Sequence, residues 1–136
     1  MKIVLDTNSL LVCIPKHSDF RPIFDAIIYG KIKLLISNDI LSEYAEKLAE
    51  KTSQIVSFNI SEFLAQSNHV EQIEIYYRWH LIERDVDDNK FVDCAVSGNA
   101  DYLITDDKHF RKLKEVGFPI VEVLRTAAFL EIIKNI

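Results

Sequence analysis

The sequence predicts an α/β architecture with a mainly parallel sheet, on three observations. Short apolar runs alternate with segments of helical periodicity along the chain, and strands separated by helices form βαβ units that join parallel neighbours. The first run, residues 3–5, delivers Asp6 at its carboxyl end with no glycine behind it. A later run, residues 102–105, delivers Asp106 and Asp107 in the same way. In open α/β sheets the ligand site lies beyond the carboxyl ends of the strands, so this architecture gathers acids at one edge. A buried carboxylate there is costly unless it is paired or bound to a metal.

Each element follows from local pattern. Residues 3–5 form a strand. Phe20, Ile23, Phe24, Ile27 and Ile28 recur at helical spacing, opened by Arg21-Pro22 and closed by Gly30. Residues 34–36 form a second strand, and Ser37-Asn38-Asp39 supply N-cap chemistry for the helix that follows. The chain then reads as helical over residues 40–72, in two pieces broken around residues 57–61. Asn59 caps the second piece together with Glu62. Residues 73–80 fit strand or helix equally. Residues 85–89 are a polar loop and residues 90–99 a helix ended by Gly98 or Asn99. Residues 102–105 form a strand, 108–115 a helix stopped by Gly117, 120–123 a strand and 127–134 a terminal helix.

At 136 residues the chain is long enough for one domain with a single core, spanning residues 1–136. Its 49% hydrophobic and 27% charged residues are ordinary for a soluble globular protein. No apolar run approaches the roughly 20 residues that span a bilayer, and the N-terminus lacks the regions of a signal peptide; the expected location is cytoplasmic. Cys13 and Cys94 are not in a Cys-x-x-Cys spacing, which points to buried free thiols rather than a zinc or redox site. A net charge of −5 argues against a broad basic surface. Acids concentrated in a metal site would lower the total while basic residues surround it.

Candidate acids fall at strand ends and helix starts. Glu43 lies one turn into the helix after Ser37, on the border of the stripe Ile40, Leu41, Tyr44 and Leu48; a surface pairing with Lys47 is the plainer reading. Asp85, Asp87, Asp88 and Asp93 crowd a short segment, where capping explains one of them. N-capping likewise accounts for only one of Asp106 and Asp107. The chemistry that uses such a set is divalent-metal catalysis. Mg²⁺ and Mn²⁺ take carboxylate and water oxygens, and they offset the repulsion that raises the pKa values of gathered carboxylates. They also activate water and stabilise charge on a phosphoryl oxygen.

Four stretches carry a resemblance: Val4-Leu5-Asp6-Thr7-Asn8, the run from Ser37 to Tyr44, the run from Asp87 to Ala95, and the run from Ala100 to Asp107. Together they resemble the four motifs of PIN-domain ribonucleases, in order, from Met1 to about Val123. The subgroup most similar is that of bacterial and archaeal toxin components of toxin–antitoxin systems, VapC-like. The resemblance implies a three-layer α/β/α fold with a mainly parallel central sheet of four to five strands. It implies a Mg²⁺- or Mn²⁺-dependent endoribonuclease, an RNA substrate, a homodimer and an antitoxin protein partner. Asp6, Glu43, Asp88 and Asp107 match the four acids. Asp87 competes with Asp88 for third place, and Asp93 stands where a secondary ligand would. Asn8 and Thr105 match supporting positions, while Asp106 stands where the subgroup often has Gly.

Other residues admit readings of their own. His17, His69, His80 and His109 do not cluster at metal-ligand spacing. Lys108, His109 and Arg111, with Lys112 and Lys114, form either a solvated face or a phosphate-contacting rim; Lys90 and Arg84 are placed to serve similarly. Tyr76, Tyr77 and Trp79 suit a core or dimer contact, or stacking on unpaired bases. A haloacid-dehalogenase-like phosphatase is disfavoured because Asn8 stands where its second Asp belongs, and a phosphorelay receiver because Asp6 is misplaced. A catalytically silent PIN-fold module that binds RNA or protein is the non-enzymatic alternative.

Overall fold

A computed structural model of the chain describes residues 1–83 and 86–136, so that Arg84 and Asp85 lie outside the described residues. β1 (Lys2–Leu5), β2 (Lys33–Ile36), β3 (Val70–Gln72), β4 (Tyr102–Ile104) and β5 (Val123–Leu124) form one sheet in the order β3-β2-β1-β4-β5. Every neighbouring pair runs parallel. Helices flank the sheet: α1 (Thr7–Cys13), α2 (Arg21–Ile28), α3 (Asn38–Lys51), α4 (Gln54–Gln66), α5 (Asn89–Ser97) and α6 (Thr126–Lys134). The α/β class and the parallel sheet are as the sequence predicts. No described helix is long and apolar enough to cross a membrane.

The central strands are apolar on both faces because both are covered. Ile3, Val4, Leu5, Leu34, Leu35 and Ile36 are wholly buried, with Leu103 and Ile104 beside them. Proline near the start of α2 fits the first helical turn, where no N–H is needed. Gly30 ends that helix at φ +75°, and a Cβ there would meet the His69 ring at 2.6 Å. The positive φ is what favours glycine here, since the exposed His69 ring can move aside. Ser37 caps α3 by accepting from the Ile40 N–H at 3.3 Å.

The long helical stretch of the sequence reading is corrected in two places. The break falls at Thr52–Ser53, where Ser53 caps α4 through the Val56 N–H at 3.1 Å. Residues 57–61 lie inside α4, because Ser57 is buried and donates across to the Ala45 carbonyl at 2.7 Å. The polar residue that looked like a breaker is satisfied by the neighbouring helix. Helix α4 then ends at Gln66, and residues 70–72 pair with β2 as an edge strand.

Two further corrections concern local geometry. Lys108–Glu115 is a 3₁₀ helix, whose buried anchors Phe110 and Leu113 stand three residues apart, the period of that helix. The last strand is Val123–Leu124, since Ile120 is 76% exposed and pairing with β4 begins at Val123. Residues 73–83 adopt no regular structure. They form a strap pinned by two buried polar residues of α5. Asp93 accepts from the Trp79 N–H at 2.9 Å, and Asn89 exchanges bonds of 2.8 and 2.9 Å with the Ile82 backbone.

Tyr44 of α3 is wholly buried and its hydroxyl donates to the Leu5 carbonyl. This bond seats α3 against the end of β1, one residue before Asp6. Removing a buried hydrogen bond costs about 1–2 kcal/mol. Tyr44→Phe is therefore expected to lower the urea-unfolding free energy by about that amount; an unchanged midpoint and slope would contradict the seating role.

Candidate metal centre

Parallel pairing of β1 with β4 sets Leu5 beside Ile104, so Asp6 and Thr105 emerge next to one another. The Thr105 hydroxyl donates to Asp6 Oδ2 at 2.8 Å and accepts from the Asp107 N–H at 3.0 Å. One buried side chain thus orients the first acid and holds the turn that carries the fourth. Asp107 in turn caps the 3₁₀ helix, its Oδ1 accepting from the His109 N–H at 2.8 Å.

Asp106 and Asp107 part company here. The Asp106 carboxylate accepts from the Thr126 N–H at 3.0 Å and from its hydroxyl at 2.9 Å, with Arg125 Nε at 3.5 Å. It serves the start of α6, where a negative charge meets free amides and the helix dipole. Two adjacent acids therefore cap two different helices, which the sequence could not apportion.

Asp88 arrives on the short 3₁₀ turn Val86–Asp88, at the start of α5, and is buried. Asp88, Asp107 and His109 each offer one ligand atom, and these atoms lie within 4.8 Å of one another. His109 Nδ1 stands 3.4 Å from Asp107 Oδ1 and 3.9 Å from Asp88 Oδ2. It is Asp88 that joins this group, while Asp87 is exposed on a hollow it shares with Glu43, Glu46 and Lys90. In the sequence no histidine stands at metal-ligand spacing. The structure brings His109 in because the 3₁₀ helix folds it back onto its own cap residue. An Asp-x-His run after a strand was the available signal.

Glu43 sits on α3 beyond β2 and is held from two sides. The Thr7 hydroxyl donates to Oε2, and Lys90 Nζ pairs with Oε1 at 2.6 Å with both side chains mostly buried. Thr7 was not singled out from the sequence, and the cross-chain contact that gives it a role has no local signature. Lys90, expected on a phosphate rim, is engaged by Glu43. Asn8 is exposed, and Asp93 serves the strap. Lys108 and Arg111 are exposed beside the cluster. Cys13 and Cys94 are buried free thiols, their pKa values pushed up to about 12 by burial.

The electrostatics follow from the gathering. Burial raises the Asp6 carboxyl above its ordinary range; the bonds from Thr105 and the Thr7 backbone oppose this, and Asp107 and Glu43 add to it. Burial likewise raises Asp93, against the Trp79 N–H and the charges of Arg78 and His80. A cation beside Asp6 and Asp107 would relieve the repulsion between them.

A parallel α/β sheet with carboxylates converging at its carboxyl edge is the class of molecule that these observations define. A model of the PIN domain matches residues 2–109, and the chain belongs to the PIN domain family. No curated protein sequence matches it significantly. Among solved structures it is similar to a chain of VapBC2 from Rickettsia felis bound to a DNA fragment from their promoter. The TM-score is 0.64 at 19% identity, over 92% of this chain and 98% of that one. It is also similar to a chain of VapBC-1 from nontypeable Haemophilus influenzae, with TM-score 0.60 and 17% identity over 93% and 99%. The PIN domain endonuclease Utp24 gives TM-score 0.53 and 20% identity over 91% and 84%. At these identities the likeness is one of fold.

The raised Asp6 pKa has a consequence for stability in chelator-treated protein. The folded state binds this proton more tightly than the unfolded one, so the contribution is full below the ordinary carboxylate pKa. It is lost as pH rises through the raised folded value. Asp6→Asn is expected to raise the urea-unfolding midpoint at neutral pH, with the gap to the parent closing near pH 4, about the ordinary carboxylate value. A lower midpoint for the variant at neutral pH would contradict the raised pKa of the buried carboxyl.

Proposed function

We propose that the protein is a Mg²⁺- or Mn²⁺-dependent endoribonuclease, the toxin of a toxin–antitoxin pair, acting in the cytoplasm as a homodimer of single-domain chains. The observation that supports the nuclease reading is the convergence of Asp88, Asp107 and His109, with Asp6 close enough to Asp107 to feel its charge, within a chain of the PIN domain family. The structural neighbours support the reading by likeness of fold: Utp24 is a PIN domain endonuclease, and VapBC2 of Rickettsia felis is bound to a DNA fragment from their promoter.

The residues fit a hard divalent ion. Asp88 and Asp107 present oxygen atoms at ligand spacing with His109 Nδ1, and the buried Asp6 carboxylate accepts hydrogen bonds from the neutral Thr105 hydroxyl and Thr7 backbone. Asp6, Asp88 and Asp107 would hold the ion, with His109 beside them and Glu43 at the border. When bound, such an ion lowers the pKa of a water and stabilises charge on a phosphoryl oxygen.

The chain's own groups do the rest. Thr105, together with the Thr7 backbone N–H, fixes the rotamer of Asp6. Lys90 neutralises Glu43 and keeps it from adding its full charge to the cluster. A carboxylate of the set would take the proton of the water that attacks phosphorus in line, while the P–O bond opposite breaks and the leaving sugar oxygen takes a proton from solvent. Lys108 and Arg111 position phosphates without reading bases. The exposed Asn8, where a phosphatase of the haloacid-dehalogenase type would need an acid, favours the nuclease over that alternative.

With Mn²⁺, purified wild type is expected to cleave RNA, and Asp6→Asn to be slower by at least about 100-fold. No cleavage by wild type of either unpaired or structured RNA would favour the silent binding module. Cleavage by Asp6→Asn at the parent rate would sink the proposed site. Thr105→Val is expected to weaken Mn²⁺ binding about 10–100-fold by calorimetry, the cost of losing a partner that orients a ligand; unchanged affinity would remove Thr105 from the centre.

A further inference from the structure

A hollow of about 490 Å³ on the α3 side of the acidic cluster is walled by Asp39, Glu43, Glu46 and Asp87, with Lys47 and Lys90 among them. The two lysines are held differently. Lys47 is half-exposed and pairs at 3.1 Å with Glu50 of its own helix. Lys90 is sunk: its side chain is 18% exposed, and its Nζ stands 2.6 Å from Oε1 of Glu43, itself 21% exposed. The other Glu43 oxygen accepts from the Thr7 hydroxyl. Both oxygens of this acid therefore have partners before any ion arrives.

Local structure does not explain Lys90. It is the second residue of α5, and a cation at a helix N-terminus stands against the macrodipole. Tertiary contacts hold it instead. Glu43 comes from 47 positions earlier in the chain, and the Phe91 ring centroid lies 5.9 Å from Nζ. A part-buried ion pair is stable only while both members stay, since removing one strands the other charge. A divalent ion that reached Glu43 would have to expel Lys90 first.

Two-ion phosphodiester centres set their ions about 3.5–4 Å apart, and each ion needs its own oxygens. Here Asp106 serves α6, Asp93 serves the strap, and Asp88 and Asp107 converge with His109. Glu43, whose charge reaches Asp6, is the next carboxylate on which a second ion would draw. That carboxylate is the one Lys90 occupies.

We propose that the Lys90 ammonium fills the place of a second metal ion at Glu43, which makes this a centre for a single divalent ion. Glu43 is then the partner of Lys90 and not a ligand. The inference rests on the metal-centre reading above and fixes its stoichiometry. Lys90 supplies one positive charge where an ion would supply two, and a chelator cannot remove it.

Mn²⁺ binding to chelator-treated protein is counted by calorimetry, and the spacing of bound ions is read from the Mn²⁺ paramagnetic resonance line. The parent is expected to take one ion per chain, without dipolar broadening. Lys90→Met keeps the apolar stem and removes the charge, which releases Glu43. It is expected to take two ions and to show a broadened line, as for ions about 4 Å apart. Combining Lys90→Met with Glu43→Gln replaces the pair by neutral groups of similar size. That double variant should take one ion with an affinity close to the parent's.

Two ions in the parent, or one in a Lys90→Met variant that is folded by circular dichroism, would overturn the proposal. So would a loss of more than about 10-fold in the affinity of the double variant, the least expected when a metal's surroundings are damaged. The double variant strands no charge, so it decides the matter if Lys90→Met fails to fold. A parent that binds no Mn²⁺ sinks the metal-centre reading itself, whereas a wrong count sinks only the role given to Lys90.

Discussion

The parallel pairing of β1 between β2 and β4 is the constraint on which the rest of the molecule hangs. Because all three strands run the same way, their carboxyl ends share one edge, and whatever follows each strand is delivered there. Asp6, Ser37 and Thr105 are those residues. The order of strands reverses direction about β1, the arrangement that leaves a crevice at the strand ends of open α/β sheets. Thr105 closes the bottom of that crevice by its bond to Asp6.

From that constraint follows an electrostatic conflict that the fold only partly relieves. Carboxylates brought together repel, and burial removes the water that would screen them. The chain answers at each member separately. Lys90 and Thr7 take up Glu43, the start of α6 takes up Asp106, and the 3₁₀ helix amides take up one oxygen of Asp107. Asp6 receives neutral donors and keeps a raised pKa. Asp107 lies near enough to Asp6 to raise its pKa, and the oxygens of Asp88 and Asp107 converge with His109.

Helix α5 links this centre to the surface around it. Its first residues bring Asp88 and Lys90 to the cluster, while Asn89 and Asp93 face the strap and hold its backbone. Four polar residues within six positions thus divide between two tasks. The strap would otherwise be an irregular segment with few anchors, and Trp79 would have no fixed place against Phe118. The acidic centre and the strap are therefore positioned by one short helix.

Several features were legible in the sequence because they depend on nearest neighbours or on periodicity alone. The apolar runs announced the central strands, Arg21-Pro22 and Gly30 bounded α2, and Ser37 announced α3. The four motifs of the PIN family stood in order, with Thr105 and the acids at recognisable offsets. What escaped was decided by contacts between distant segments. Ser57 looked like a helix break until the Ala45 carbonyl satisfied it, and residues 70–72 became a strand only because β2 offered an open edge. Asp106 and Asp107 are adjacent in sequence, yet different helices claim them. The Asp-x-His run hints at the pairing of His109 with Asp107, but its approach to Asp88 joins segments distant in the chain. The sequence by itself determined which residues could serve a metal-dependent chemistry and on which strand ends they stood. Only the tertiary structure decided which acids are neutralised and which are left to face one another, because a carboxylate's partners come from whatever packs beside it, not from its neighbours along the chain.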